Sequence, residues 1–413
     1  MSNLFRLGNH CRQSKATDAS CGVTFWERTR EWRGRSIAEA TLTISTTKKL
    51  AGGVFAAGLI FSLAACGQAP TTEPTTDATS GASTEASASA TDFLGCVVSD
   101  AGGFDDKSFN QLSFEGLTMA TDELGAESKS VESNSEAEYG PNIDGLAAEG
   151  CNAIVSVGFA LSAATVEAAL ANPDTDFILV DDAADNDFDG EKDAENIKPL
   201  LYNTAEAAFL AGYLSAGYSE SGKVGTFGGM EFPTVTIFMD GFKQGVDYYN
   251  ETNGTAVEVV GWDGKTGTFT GGFEANADAK TAASNVIAQG VDVILPVGGP
   301  IYQSALQVIE ESGRDIALIG VDADLYETDP NTQDVVLTSI LKAMDLSTYE
   351  AVLASADGSI DFDAYVGTLE NEGVGIADLH NFADKVDAAL LAEVEALKAD
   401  IIAGKVTVTS YLD

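Results

Sequence analysis

Positively charged residues and histidine are scarce in this chain of 413 residues. It has 22 Lys and Arg against 64 Asp and Glu, which gives a formal net charge of −42. Proteins that bind nucleic acids need clustered Lys and Arg to neutralise phosphates, so no role with DNA or RNA is expected. His10 and His380 are too few for a His-based zinc site or a Ser-His-Asp triad. We therefore predict a protein without a metal site, a cofactor or catalytic residues.

A long apolar run is also missing. The only strongly apolar run near the N-terminus, Leu50–Leu63, has about 14 residues, which is too few to span a bilayer. It follows Lys48 and Lys49 and precedes small residues, so residues 48–66 are predicted to be a signal peptide. Its Leu-Ala-Ala-Cys ending resembles the bacterial lipobox, which makes Cys66 the expected lipidation site. The alternative is an unmodified cysteine after an ordinary signal peptide.

The two segments that flank the signal peptide differ in composition. Residues 67–92 are nearly all Ala, Ser, Thr, Pro, Gly and acid, which cannot bury a core, so we predict a disordered tether. Residues 1–47 carry Trp26, Trp32 and several basic residues, which is unusual before an export signal. We interpret them as an N-terminal extension from a start site assigned too early, with translation expected to begin near Leu42. The folded part is then exported and lipid-anchored at the outer face of a bacterial cytoplasmic membrane.

From residue 93 onward, short β-rich runs alternate with helical stretches, which predicts an α/β fold with parallel sheets. The alternation begins again about halfway along. We therefore predict two Rossmann-like lobes joined by a hinge, with lobe 1 at residues 93–218 and lobe 2 at residues 219–334. Residues 335–413 cannot make a third lobe and are expected to cross back between the two and complete both.

Two cysteines remain in the folded part once Cys11, Cys21 and Cys66 are set aside. Cys96 and Cys151 each open an apolar run typical of a strand. If these strands are parallel neighbours, the two thiols could form a disulfide in an oxidising compartment. Two buried free thiols are the alternative.

Polar and aromatic residues follow the predicted strands. In parallel α/β sheets, ligands bind beyond the carboxyl ends of the strands. The first predicted strand leads into residues 99–111, with the sequence SDAGGFDDKSFNQ. This run closely resembles the opening motif of the basic membrane protein (BMP) family of PnrA-like lipoproteins. The likeness extends over about residues 94–345.

The resemblance implies a type I periplasmic-binding-protein fold and a function. Family members are lipoproteins that bind purine nucleosides for ABC importers. We accordingly expect a monomer that binds a purine nucleoside, such as guanosine, inosine or adenosine, between its lobes. It would deliver this ligand to ABC permease and ATPase subunits while it is attached to the membrane through its lipid. A sugar-like or riboflavin-like ligand, or a surface lipoprotein that senses a ligand, are the alternatives.

The resemblance also implies which rings bind the base. Phe109 and Phe273, from opposite lobes, would stack on the two faces of the purine, and Phe269 is the alternative to Phe273. A base is flat and polarisable, so stacking contributes roughly 1 to 3 kcal/mol per ring.

Three polar residues are implied at the edge of the base, namely Asp100, Asn110 and Asp181. Carboxylate and amide oxygens accept hydrogen bonds from the N–H donors of a purine. Asp182 competes with Asp181 for this role, because only one of two adjacent strand residues can face the cleft.

Asp322 and Lys342 match the positions that bind ribose in the family. A carboxylate can accept from both hydroxyl groups of a cis-diol, while an ammonium donates to the same oxygens. Gly298 matches a glycine at the floor of the pocket, where the missing side chain lets the backbone approach the ligand.

An enzyme is the alternative from a different class. Asp105, Asp106 and Lys107 could serve as acid and nucleophile in an N-ribohydrolase or a transferase, since paired carboxylates can do such chemistry. The sequence places no metal ligand or base near them. A binding protein is therefore the preferred interpretation.

Overall fold

The computed structural model describes residues 92–413. The predicted N-terminal extension, the signal peptide, Cys66 and nearly all of the tether lie outside the described residues. The strands are β1 (Leu94–Val98), β2 (Glu127–Val131), β3 (Ala153–Val157), β4 (Asp176–Val180), β5 (Ile197–Tyr202), β6 (Lys223–Gly228), β7 (Glu258–Val260), β8 (Val293–Val297), β9 (Ala317–Asp322), β10 (Val336–Lys342), β11 (Tyr365–Gly367) and β12 (Val374–Ile376). The α-helices are α1 (Phe109–Leu124), α2 (Tyr139–Ala148), α3 (Ser162–Ala171), α4 (Thr204–Tyr218), α5 (Pro233–Asn253), α6 (Ala277–Ile287), α7 (Ile301–Ser312), α8 (Leu325–Thr328), α9 (Met344–Asp357) and α10 (Ala388–Ile402). None of these described helices has the length and apolar character that a membrane span requires.

The first sheet has the strand order β11-β5-β4-β3-β1-β2, and all its pairs are parallel. Strand β3 is buried along its whole length, as is all of β4 except its first residue. Strands that helices cover on both faces are expected to be nearly continuously apolar, as β3 and β4 are.

The second sheet repeats this plan. Its order is β12-β10-β9-β8-β6-β7. Strands β6 to β10 are therefore arranged in the second sheet as β1 to β5 are in the first. Strand β12 is antiparallel to β10, whereas the other pairs are parallel. Loops at the carboxyl ends of both sheets are therefore built from equivalent strands.

Helix α4 packs with the second sheet, although the predicted boundary of 93–218 assigns it to lobe 1. It contacts α5, α10 and strands β10 and β12. Its approach to α5 requires glycine, because a Cβ atom on Gly212 would lie 2.0 Å from the carbonyl oxygen of Phe242. The chain thus enters lobe 2 at Asn203, between β5 and α4, and the boundary at residue 218 is corrected.

The segment after residue 335 contributes to both lobes. Strand β10 lies in the second sheet, α9 packs on α1 in lobe 1, β11 extends the first sheet, and β12 extends the second. Three connections therefore join the lobes, near Asn203, near Ala343 and at residues 368–373. Together they form the hinge.

The sequence analysis does not predict β2, β5, α2 or α7. Strand β2 is a largely exposed edge strand that contains Glu127 and Lys129, so it lacks an apolar run. Lys198 and Pro199 interrupt the apolar run of β5. Helix α2 contains Pro141 in its first turn. Helix α7 does have apolar residues at helical spacing, and that spacing could have predicted it.

A disulfide joins Cys96 and Cys151 in the structure. Cys96 lies in β1, Cys151 precedes β3, and the two strands are parallel neighbours. The Cα atoms are 6.0 Å apart, within the range that a disulfide spans. The bridge therefore ties the middle of β1 to the turn that leads into β3.

Candidate functional site

The carboxyl ends of strands from both sheets face one cavity. About 610 Å³ of space that no atom occupies lies within it, and this figure includes solvent at its open mouth. The structure brings all the ligand-binding residues expected from the sequence to its wall. They are Asp100, Phe109, Asn110, Asp181, Phe273, Gly298, Asp322 and Lys342.

Two carboxylates reach the cavity from equivalent positions in the two lobes. Asp181 directly follows β4 and Asp322 ends β9, and their φ angles are 66° and 64°. This left-handed conformation is uncommon for residues other than glycine, although Asp adopts it more readily than most. Asp182 instead accepts hydrogen bonds from the Ser162 hydroxyl and from the Ala184 N–H. Of the two adjacent aspartates, Asp181 is therefore the one that lines the cavity.

Lys342 lies between these carboxylates at the end of β10. Its Nζ is 2.6 Å from Asp181 Oδ2 and 3.7 Å from Asp322 Oδ1, and all three side chains are buried. Lys342 is thus closer to Asp181 than to Asp322, its expected partner in ribose binding. Its ammonium also lies 5.0 to 5.6 Å from the centres of three rings, those of Phe109, Tyr202 and Phe238.

One lysine does not balance this set of acids. Burial raises the pKa of Asp322 to about 6, against the opposing effect of Lys342. Burial also raises the pKa of Asp181, while the adjacent Lys342 ammonium lowers it. The carboxylates therefore hold protons more readily than ordinary aspartates do, and hydrogen-bond donors from a ligand would stabilise their charged forms.

The carboxylate of Asp100 is fixed by its neighbours. Its Oδ1 accepts from the Gly102 N–H and from Asn110 Nδ2, each at 2.8 Å. Asn110 Nδ2 is also 3.2 Å from Asp106 Oδ2, so the amide nitrogen faces two carboxylates. Asn110 Oδ1 has no hydrogen-bond partner. Burial raises the pKa of Asp100 to about 6.

The Asp106 side chain caps the beginning of helix α1. Its carboxylate accepts from the backbone N–H groups of Ser108, Asn110 and Gln111. Asp105 is exposed and pairs with Lys107. A carboxylate with three backbone donors is a helix cap, so this arrangement gives no support to the acid and nucleophile roles of the enzyme alternative.

Two phenyl rings line the cavity from opposite lobes. Phe109 is the first residue of α1 in lobe 1, and Phe273 lies in the loop after β7 in lobe 2. A Cβ atom on Gly298 would lie 2.8 Å from Phe273 Cδ1, and one on Gly229 would lie 2.5 Å from it. These glycines make room for the ring. Phe269, the alternative to Phe273, instead contacts Trp262 edge to face at 6.0 Å.

The sequence analysis does not assign Phe159, Phe232 and Phe238 to the site, although all three line the cavity. The rings of Phe159 and Phe232 are 5.1 Å apart and belong to different lobes. Phe232 is also 6.1 Å from Phe273. Phe159 follows a predicted strand, which is a usable signal, whereas Phe232 and Phe238 have no motif that could have identified them.

Comparisons with known proteins agree on fold and class. Residues 93–405 match the family model described as "Bmp: ABC transporter substrate-binding protein PnrA-like". The ABC transporter nucleoside-binding protein BmpA of Lactococcus lactis subsp. cremoris is 28% identical over 337 residues, which cover 78% of this chain and 90% of that protein.

Solved structures extend this agreement. An ABC transporter solute-binding protein from Aeropyrum pernix K1 has a TM-score of 0.69 at 26% identity, covering 78% of this chain and 94% of its own. A solute-binding protein from Conexibacter woesei has a TM-score of 0.59 at 20% identity, covering 77% and 99%, and shares the fold. The predicted type I periplasmic-binding-protein fold with two lobes is confirmed.

Proposed function

Because this chain belongs to the Bmp family of PnrA-like ABC transporter substrate-binding proteins, we propose that it binds a purine nucleoside between its lobes and delivers it to a membrane permease. The family consists of substrate-binding proteins and not of enzymes. Such proteins are exported, bind a small molecule and work with permease and ATPase subunits. The observation that carries the proposal is the position of Phe109 and Phe273, which line one cavity from opposite lobes.

Two rings on opposite lobes suit a flat heterocycle. Stacking on each face of a base contributes roughly 1 to 3 kcal/mol and depends little on which base is bound. A sugar alone has no aromatic face, so it would gain less from two opposed phenyl rings than a base would. The relative from Lactococcus lactis is named as a nucleoside-binding protein, which supports the same ligand class.

The polar groups of the cavity suit the remainder of a nucleoside. Asp322 Oδ1 has no hydrogen-bond partner, and Lys342 Nζ lies 3.7 Å away. A ribose diol would donate to the carboxylate and accept from the ammonium. Asp100 and Asn110 offer further acceptors, which suit the N–H groups of a base. A phosphate group would instead face an excess of carboxylates, so the proposed ligand is a nucleoside and not a nucleotide.

We also infer that lipid on Cys66 holds the protein at the outer face of the membrane. The basic flank, short apolar run and Leu-Ala-Ala-Cys ending support this inference. Mass spectrometry of the N-terminal peptide should find a lipidated Cys66 in native protein and none in Cys66→Ser. An unmodified Cys66 peptide from native protein would contradict the inference.

Calorimetry with the purified full chain tests the ligand. Guanosine or inosine should bind tightly, whereas guanine, adenine, ribose and guanosine monophosphate should bind much more weakly. Phe109→Ala should weaken nucleoside binding roughly ten- to a hundredfold, because one stacking surface is lost. Phe114→Ala is the control, since this residue lies on the same helix and packs on Phe104 outside the cavity.

Four results would contradict the proposal in different ways. Tight binding of a sugar or riboflavin, with no nucleoside affinity, would identify another ligand. Equal affinity for guanine and guanosine would remove the ribose-binding role of Asp322 and Lys342. Release of free base from inosine, detected by chromatography, would indicate an N-ribohydrolase. Unchanged guanosine uptake in cells that lack the protein would favour a sensor.

A further inference from the structure

Two hydroxyl groups form hydrogen bonds between the lobes without lining the cavity. Thr328 Oγ1, at the end of α8 in lobe 2, donates to the carbonyl oxygen of Lys107 in lobe 1 at 2.9 Å. Ser108 Oγ in lobe 1 lies 2.9 Å from both the Val321 carbonyl oxygen and Asp322 Oδ2 in lobe 2. Neither hydroxyl belongs to the residues that line the cavity.

Both partners are held by rigid local structure. Lys107 has a φ angle of 61° and directly follows Asp106, whose carboxylate accepts from the first N–H groups of α1. The Lys107 carbonyl is therefore fixed by the turn that begins the helix. On the other lobe, the Asp324 side chain caps α8 at the Tyr326 N–H, and the Asp324 carbonyl accepts from the Thr328 N–H.

We propose that Ser108 and Thr328 form an interlobe latch that stabilises the closed form of the protein. Each bond joins groups on different lobes, so rotation about the hinge must break both. A contact that exists in one conformation only raises the population of that conformation. The latch would thus raise the closed population and slow the release of any ligand by the same factor. Where a nucleoside is the probe, the inference rests on the proposed function.

Ser108 has a second effect as a positioning residue. Its hydrogen bond occupies Asp322 Oδ2, so the other carboxylate oxygen, Oδ1, is the one without a hydrogen-bond partner. The Thr328 hydroxyl donates to a backbone carbonyl and not to a proposed ligand-binding side chain, and it therefore tests the latch alone. Loss of one neutral hydrogen bond changes an equilibrium by roughly two- to twelvefold.

The test compares Thr328→Val with Thr338→Val. Valine keeps the shape of threonine and removes only the hydroxyl. Thr338 Oγ1 donates to the Ala377 carbonyl oxygen at 2.8 Å, and both residues lie in lobe 2, so this control loses a bond within one lobe. Probes attached through unnatural amino acids at Glu136 and Lys265, which are exposed on opposite lobes, report the interlobe distance and leave the disulfide intact.

In Thr328→Val, the ratio of closed to open molecules should fall roughly fivefold. Dissociation of guanosine and of inosine should accelerate by this same factor, with their relative affinities unchanged. Thr338→Val should leave the ratio and both rates at the values of the unmodified chain. Ser108→Ala should lower the ratio as well, and Ser108→Thr, which restores a hydroxyl, should recover most of it.

Equal distance distributions and equal dissociation rates in Thr328→Val and the unmodified chain would overturn the latch. So would an unmodified chain that never populates a closed form, because the two bonds would then not exist. If no nucleoside binds at all, the proposed function fails, and the interlobe distances alone decide whether the latch exists.

Discussion

Replacement of Lys342 by methionine would leave two buried carboxylates facing each other without a cation. Lys342 is the one basic residue among the described residues that line the cavity. Its Nζ is 2.6 Å from Asp181 and 3.7 Å from Asp322, and its side chain is 2% exposed. Methionine has a similar length and can pack against the same rings, so the substitution removes the charge with little change in volume.

The expected loss of stability is large at high pH. Removal of one partner from a buried ion pair typically costs about 3 to 5 kcal/mol, because the remaining charge is uncompensated. The variant can escape much of this cost by protonating its carboxylates. For each unit by which the pKa of a carboxyl group lies above the pH, its protonated form is more stable than its charged form by about 1.4 kcal/mol. The defect should therefore shrink as the pH falls.

The pKa shifts define the pH range over which the stability changes. In the unmodified chain, burial raises the pKa of Asp322 from its usual 3.8 to about 6. A raised carboxyl pKa means that the folded state binds the proton more tightly than the unfolded chain does. The stability that this proton provides is fully present below pH 3.8 and is lost as the pH rises through about 6. Without Lys342 the pKa rises further, and the loss continues above pH 6.

Urea denaturation at pH 5 and pH 8 measures the effect. We expect Lys342→Met to lower the free energy of unfolding by about 3 to 5 kcal/mol at pH 8 and by much less at pH 5. Lys243→Met is the control, because Lys243 forms an exposed ion pair with Asp247 one helical turn away. Such pairs contribute about 0.5 kcal/mol. A loss that is equal at both pH values, or no larger than in the control, would refute this account of the charges.

Two further experiments test the space around the Phe273 ring and the disulfide between Cys96 and Cys151. Gly298→Ala should weaken guanosine binding at least roughly tenfold, because a Cβ there would lie 2.8 Å from Phe273 and the φ angle of 144° disfavours a side chain. Gly145→Ala is the control and should leave guanosine binding unchanged, because a Cβ there meets no other atom within 4 Å. Equal affinities of the two variants in calorimetry would contradict the role of Gly298. Reduction of the disulfide, which closes a loop with a sequence separation of 55, should lower the free energy of unfolding by about 4 kcal/mol. A change below about 1 kcal/mol in urea denaturation would show that the bridge adds little to stability.

The buried strands of both sheets could be predicted from the sequence because each is a continuous apolar run. Strands β2 and β5 of the first sheet could not, since β2 faces solvent and alternates charged with small residues, and Lys198 and Pro199 interrupt β5. The lobe boundary at residue 218 is wrong for a related reason. Helix α4 is apolar on every side, so its pattern indicates burial but does not indicate which sheet covers it.

The residues of the candidate site were easier to predict than the hydrogen bonds and ring contacts among them. Residues that follow strands, such as Asp181 and Asp322, lie at the cleft because parallel strands end at one edge. The hydrogen bond from Lys342 to Asp181 depends on how the lobes close, and no local pattern encodes that. Phe232 joins the site for the same reason, through its contact with a ring on the other lobe.

The repeat of one sheet plan in two lobes explains why a single lysine matters. Asp181 and Asp322 lie at the carboxyl ends of equivalent strands, and Gly158 and Gly298 directly follow another equivalent pair, with φ angles of 114° and 144°. When two such edges close on each other, like charges meet. The last of the five equivalent strands differs between the lobes, because β5 ends in Tyr202 and β10 in Lys342. One ammonium cannot neutralise every acid there, so closure at neutral pH also requires bound protons or hydrogen-bond donors, and the hydroxyl and N–H groups of the proposed nucleoside would supply such donors.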